Sequence, residues 1–149
     1  EIRNCDWSSD VCSSDLAETG HLVLATLHAP SAMHALERVV GIFEGNAQKQ
    51  VVLQLANSLQ RVISQELLPC VDRTRRVLAY ELLMVTPAAR AVIRENQLHQ
   101  LYTIMQLGAR DGSVLMDNCL YDLYSKCHIT YDAAISRARN TDRFKPNGD

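Results

Sequence analysis

The chain has 149 residues, of which 47% are hydrophobic and 21% are charged, and its formal net charge is −2. This composition is ordinary for a globular protein, and no run of Lys or Arg exceeds two residues, which argues against a nucleic-acid-binding surface. No apolar run approaches the ~20 residues of a membrane span, and five cysteines without a CxxC pair favour neither a disulfide framework nor a zinc site.

The first sixteen residues differ in composition from the rest of the chain. Glu1–Leu16 contains two of the five cysteines and the only Trp, and its apolar residues follow neither a helical nor a strand period. Asp6–Leu16 resembles one translated reading frame of a common sequencing adapter over eleven consecutive residues. We therefore interpret residues 1–16 as an adapter-derived artefact and exclude them from the fold prediction.

The next part of the chain predicts a strand followed by two helices. His21–His28 is a nearly continuous apolar run, which is typical of a strand buried on both faces in a parallel sheet. A helix follows Pro30, with its apolar residues on one face as far as Phe43. Gly45 breaks this helix, and Asn46 is suited to be the N-cap of the next one.

A hairpin and a helical region are predicted after these elements. Ile63–Val71 and Arg76–Val85 are apolar and joined by a short polar link, which predicts a β-hairpin. Helical periodicity then predicts four helices, Pro87–Glu95, Leu98–Ala109, Ser113–Cys127 and Thr130–Ala138. The chain therefore divides into an α/β part over residues 17–85, a helical part over 86–144 and a frayed tail over 145–149.

The motifs of a complete catalytic site do not occur in this sequence. None of the six glycines is followed by Lys, so the phosphate-binding loop GxxxxGK[ST] is missing, as are GxSxG and HExxH. No apolar strand ends in an acidic pair that could hold magnesium. We expect no metal site in this chain and no complete set of catalytic groups.

A few side chains remain as candidates for function. An extended strand places His21 and His28 ~23 Å apart, so they could not share a metal or a substrate atom, and spacing alone favours structural or exposed histidines. His28 is the better functional candidate because open α/β sheets bind ligands at the carboxyl ends of their strands. Arg90 and Arg94, beside Glu95, are typical of a solvated helix face, and the alternative is a basic patch that docks a partner subunit.

Several segments resemble a known protein family. Ala17–His28 (AETGHLVLATLH) closely resembles the histidine box of secretion ATPases, which drive type II secretion and type IV pili. Ser58–Pro69 is similar to the next segment of that family. Thr86–Glu95 (TPAARAVIRE) resembles the signature helix of the type IV pilus retraction ATPase (PilT) branch, and the resemblance continues through Ile129–Ala134. It covers the chain from Ala17 to about residue 144.

The resemblance implies the C-terminal part of a RecA-like P-loop ATPase core over residues 17–85, followed by a small helical bundle. It also implies a homo-hexamer that uses ATP and Mg²⁺ to retract pili, located in the cytoplasm at the inner-membrane pilus base beside the pilus platform protein. His21 and His28 would belong to the nucleotide site or its interface, with His28 near the γ-phosphate. A surface associated with retraction would include Arg90, Ile93, Arg94 and Glu95.

The sequence departs from the family pattern in two places, and rival interpretations remain. Ala29-Pro30 stands where the family usually has Thr-Asn, and residues 1–16 stand where its acidic magnesium-binding strand belongs, so we expect a fragment that is inactive alone. Pilus assembly and type II secretion ATPases commonly carry a four-cysteine zinc module around the hairpin, where this chain has only Cys70, so the retraction branch is favoured. A third interpretation is a non-enzymatic module that docks on the hexamer.

Overall fold

The structure, a computed structural model, describes residues 17–144. The interpretations of residues 1–16 as adapter-derived and of 145–149 as a tail fall outside the described residues. The α-helices of the described chain are α1 (Ala32–Gly41), α2 (Gly45–Ser58), α3 (Pro87–Arg94), α4 (Leu101–Leu107), α5 (Met116–Ser125) and α6 (Tyr131–Ile135). The strands β1 (Arg61–Pro69) and β2 (Arg76–Met84) lie between α2 and α3. The 3₁₀ helices are Leu98–Gln100, Gly108–Asp111 and Thr141–Phe144.

The segment from residue 21 to residue 29 is not the buried strand that its apolar run predicts. It has no regular secondary structure, and the side chains of Leu22 and Leu24 are 81% and 58% exposed. A buried strand needs at least one hydrogen-bonded neighbouring strand, and the sheet formed within residues 17–144 consists of β1 and β2 alone. The strand prediction is therefore wrong for this structure, because no strand lies beside the segment to accept it.

Helices α1 and α2 form where the apolar periodicity predicts them. Ser31 is the N-cap of α1, and its hydroxyl oxygen accepts a hydrogen bond from the backbone N–H of His34 at 3.3 Å. Helix α2 begins two residues earlier than predicted, so Asn46 lies inside it and Glu44 is the N-cap. Gly45 has a φ of +61°, a left-handed conformation that glycine adopts without strain and that separates the two helices.

The predicted β-hairpin is confirmed. The nine residues of β1 pair with the nine residues of β2 in a continuous antiparallel register. Strand β1 begins two residues earlier than the sequence predicts, whereas β2 begins at Arg76 as predicted. In the turn, the backbone N–H of Thr74 donates to a carboxylate oxygen of Asp72 at 3.1 Å. This hydrogen bond is the main reason that the pKa of Asp72 lies below its ordinary value.

The predicted helices after the hairpin are present but shorter. Thr86 caps α3 by accepting from the N–H of Ala89 at 3.3 Å, and Pro87 is the first helical residue. Thr130 caps α6 in the same way, through the N–H of Ala133 at 3.3 Å. The predicted helix over 98–109 divides into α4 and two 3₁₀ turns.

The start of α5 is displaced by contact with the sheet. The sequence predicts a helix from Ser113, whereas α5 begins at Met116. Leu82 and Val114 exchange two backbone hydrogen bonds of 2.8 Å, which form an isolated bridge at the outer edge of β2. This bridge holds Val114 in an extended conformation beside β2, so the helix begins after it.

Two hydrophobic clusters pack against the inner face of the hairpin. The first unites α1, α2, α3 and α4, and Leu83 of β2 is fully buried in it. The second unites α5, α6 and Phe144 with Leu68 and Ala79 of the hairpin. Alternate side chains of a strand point to the same face, so one face of the hairpin contributes to both clusters and connects them.

Candidate functional site

The two predicted site histidines lie on the segment that precedes α1. Both His21 and His28 are exposed. The hydroxyl oxygen of Thr19 lies 3.0 Å from Nδ1 of His21. The guanidinium of Arg38, from the last turn of α1, donates through Nη1 to the carbonyl oxygen of His28 at 2.9 Å. The backbone of His28 is thus anchored to α1, while its imidazole ring stays accessible to a ligand.

The hairpin holds the chain immediately after His28. The hydroxyl of Ser64 on β1 donates to the carbonyl oxygen of Pro30 at 3.1 Å. The backbone N–H of Ala32, the first residue of α1, donates to Oε1 of Glu81 on β2 at 2.8 Å. Two side chains of the hairpin therefore fix the turn that joins residues 21–29, the His28 segment, to α1.

The predicted retraction surface lies on α3, against the end of α2. Arg90 donates through Nη1 to the carbonyl oxygens of Ala56 at 2.7 Å and Asn57 at 2.8 Å. The last carbonyl groups of a helix lack partners within the helix, and a cation near them is favourable. Helix α2 has no basic residue in its own last turn, so Arg90 supplies that cation from α3.

The four residues of the predicted surface do not all lie on the surface. Ile93 is fully buried in the first cluster, so its side chain is not accessible in this chain, and its association with retraction stays a prediction. Its apolar side chain packs in the core that holds α3 in place. Arg94 and Glu95 are exposed, and Nη2 of Arg94 donates to Oδ1 of Asn57 at 3.3 Å. The exposed part of the motif is therefore the C-terminal end of α3.

Four polar residues within residues 17–144 are buried but were not among the candidates from the sequence, namely Ser64, Glu81, Ser113 and Asp117. Ser64 and Glu81 are 8% exposed, and Asp117 on α5 is 5% exposed. The carboxylate of Asp117 accepts from the backbone N–H groups of Arg139 at 2.8 Å and Asn140 at 3.0 Å, which ties the chain after α6 to α5. The sequence could have indicated Glu81, since it is the one acidic residue in a strand that is otherwise mostly apolar.

The chemistry available within residues 17–144 is limited to single side chains. In this part of the chain, no three His, Cys, Asp or Glu side chains are grouped so that they could hold a metal ion. Likewise, none of the helices described here is long and apolar enough to cross a membrane. The exposed ring of His28 can exchange hydrogen bonds with a phosphate oxygen, but no glycine-rich loop beside it could enclose a phosphate chain.

Comparisons with known proteins show which family and which relatives this chain is similar to. The family described as Type II/IV secretion system protein matches residues 1–120. Type IV pilus ATPase PilU of Pseudomonas aeruginosa is 39% identical over 122 residues, which are 82% of this chain and 32% of PilU. The type IV pilus retraction ATPase PilT of the same organism is 40% identical over 128 residues, which are 86% of this chain and 37% of PilT.

A solved structure resembles the fold as well. The crystal structure of the pilus retraction motor PilT with bound ADP superposes with a TM-score of 0.76 at 42% sequence identity. The match covers 88% of this chain and 36% of that chain. The chain therefore spans about a third of the length of the relatives that it matches.

Proposed function

Because the chain belongs to the type II/IV secretion system protein family, we propose that it is part of a cytoplasmic ATPase that retracts type IV pili. The observation that carries this proposal is the likeness to the pilus retraction motor PilT, at 42% identity and a TM-score of 0.76 over 88% of this chain. The proposed motor is a homo-hexamer that lies at the inner-membrane base of the pilus and contacts the platform protein. Its turnover of ATP with Mg²⁺ drives pilin extraction and so twitching motility.

We assign His28 to the edge of the nucleotide site of this motor, with His21 at the same site or at the subunit interface. The relative solved with bound ADP supports a nucleotide in the family. The ring of His28 is exposed, and its backbone is held by Arg38. An exposed imidazole ring such as that of His28 can recognise a terminal phosphate but cannot enclose a whole nucleotide. Since the phosphate-binding loop is missing from this sequence, we expect that the 149-residue chain alone does not hydrolyse ATP.

The exposed end of α3 is assigned to retraction rather than to hydrolysis. Arg94 and Glu95 are accessible to a partner there, whereas Arg90 and Ile93 hold the helix against α2 and the core. In this assignment Arg94 and Glu95 contact the partner, while Arg90 and Ile93 keep α3 in position.

A chimeric motor tests the proposed function. Residues 17–144 replace the matching part of PilT in a Pseudomonas aeruginosa strain that lacks its own PilT, and twitching and ATP turnover are measured. We expect the chimera to restore both. We also expect His28→Ala to lower kcat by about 10²-fold, since loss of one donor to developing negative charge commonly costs that much.

The control for His28→Ala in this chimera is a second exposed histidine. His99→Ala removes another exposed histidine, outside the His28 segment, and should leave kcat unchanged. Full turnover by the His28→Ala chimera would reject the assignment of His28. A chimera that restores pilus assembly in a strain lacking its assembly ATPase, but never restores twitching, would place the chain in the assembly branch.

A further inference from the structure

The inner face of the hairpin has a polar centre between two apolar ends. Ser64 and Glu81 are cross-strand partners in the register of β1 and β2. On one side of this pair, Leu83 belongs to the first cluster, and on the other side, Leu68 and Ala79 belong to the second cluster. Apart from Glu66, the rest of this face is apolar. A buried polar pair on such a face lowers stability unless it is hydrogen-bonded, and both members of this pair have hydrogen-bond partners.

The partner of Glu81 is the N-terminus of α1. The backbone N–H groups of the first helical turn lack partners within the helix and form its positive end, where a carboxylate is favourable. Helix α1 has no acidic residue in its own first turn. Glu81, 49 residues further along the chain, supplies the carboxylate through a buried hydrogen bond of 2.8 Å to the N–H of Ala32.

The partner of Ser64 is Pro30, two residues before Ala32. The Ser64 hydroxyl donates to the carbonyl oxygen of Pro30 at 3.1 Å. The pair therefore binds the backbone of the same turn on both sides of Ser31. Since Pro30 is only two residues from His28, this attachment restricts where the histidine can lie relative to the hairpin.

We propose that Glu81, assisted by Ser64, is a positioning residue that holds the His28 segment against the hairpin. The same hairpin face contributes to the second cluster. A displacement of α5 and α6 that moves the hairpin would therefore change the position of His28, because Ser64 and Glu81 attach the His28 segment to the hairpin. The consequence for turnover rests on the proposed function above, whereas the attachment itself does not. Glu81 is buried and acts through the backbone of residues 30–32, as a positioning rather than a catalytic residue.

Hydrogen exchange in the 149-residue chain tests the attachment directly. Glu81→Ala removes the acceptor of the Ala32 N–H, whereas Glu81→Gln keeps an acceptor oxygen at the same position. We expect Glu81→Ala to speed exchange of backbone amides over residues 28–36 by about tenfold, since a hydrogen bond to a charged group contributes that much. Glu81→Gln should restore most of the protection.

Glu66→Ala is the matched control, because it removes the same type of side chain from the same face of the hairpin. Glu66 pairs with Nε of Arg137 at 2.8 Å, away from α1. Its removal should leave exchange over residues 28–36 unchanged. Equal acceleration in Glu81→Ala and Glu66→Ala, or no acceleration in Glu81→Ala, would overturn the proposal.

The chimeric motor supplies a readout that loss of stability alone would not produce. If Glu81 acts through His28, Glu81→Ala lowers kcat in the chimera that retains His28 but has little further effect after His28→Ala. Glu81→Gln should retain most of the turnover. Independent, additive losses would overturn the coupling to His28. An unmodified chimera without turnover would count against the proposed function, while the exchange experiment would still decide the attachment.

Discussion

At the scale of single residues, charged side chains complete helix ends that belong to other elements. The last turn of α2 has no basic residue, and Arg90 of α3 donates to its carbonyl groups at 2.7 and 2.8 Å. The sequence favoured a solvated face for Arg90, or a docking patch, because its spacing from Arg94 is that of neighbours on a helix surface. The structure shows a half-buried Arg90 with a packing role and leaves Arg94 exposed.

Replacement of Arg90 by Ala should therefore destabilise the chain. Two carbonyl oxygens at the end of α2 would lose a charged donor, which costs about 1–3 kcal/mol of unfolding free energy. Arg94→Ala is the matched control and should cost less than about 0.5 kcal/mol, since its side chain is exposed. Urea unfolding followed by circular dichroism measures both, and equal losses would contradict the helix-capping role of Arg90.

At the scale of elements, the hairpin has two faces with opposite environments. Leu83 faces inward and is fully buried, whereas Leu67 and Leu78 face outward and are 58% and 45% exposed. Both strands carry leucines on both faces, so the sequence predicts a hairpin without deciding which face is buried. Alternate side chains of a strand lie on opposite faces. Which of the two faces is buried depends on which one the helices of the chain pack against.

Leucine truncation on the two faces should have unequal effects. Leu83→Ala leaves a cavity in the first cluster and should cost about 2–5 kcal/mol of unfolding free energy. Leu67→Ala removes the same atoms from a side chain that is already more than half exposed and should cost less than about 1 kcal/mol. Thermal or urea unfolding compares the two variants, and similar losses would show that the outer face is also packed.

At the scale of the whole molecule, the outer face of the hairpin and the His28 segment leave apolar side chains in solvent. Ile63 is 57% exposed and Leu22 is 81% exposed. Exposed apolar sheet faces favour association. The division of the chain at residues 85 and 86 stays a prediction, and the first cluster draws residues from both sides of it, such as Leu36 and Leu101.

The purified chain should therefore self-associate. We expect sedimentation velocity to show species larger than the 16.7 kDa monomer, and we expect Leu67→Lys to shift them towards the monomer, because it places a charge in the exposed apolar face. Glu66→Lys, on the opposite face of the same strand, serves as the control and should not. A monodisperse monomer for the unmodified chain would contradict the prediction.

The sequence by itself determined the family and most of the local structure. The comparisons confirm the family resemblance carried by Ala17–His28 and Thr86–Glu95. Helix starts at Ser31, Thr86 and Thr130 were predictable because an N-cap bonds an amide only three residues away. The hairpin was predictable for the same reason, since a short polar link joins two adjacent apolar segments.

Only the tertiary structure decided how distant parts of the chain meet. The bond from Ala32 to Glu81 spans 49 residues and that from Arg90 to Ala56 spans 34, and no local pattern encodes such contacts. The same limit explains the wrong strand prediction for His21–His28. An apolar run indicates that a segment can be buried. Whether the segment forms a strand depends on hydrogen-bonded neighbours that come from elsewhere in the chain.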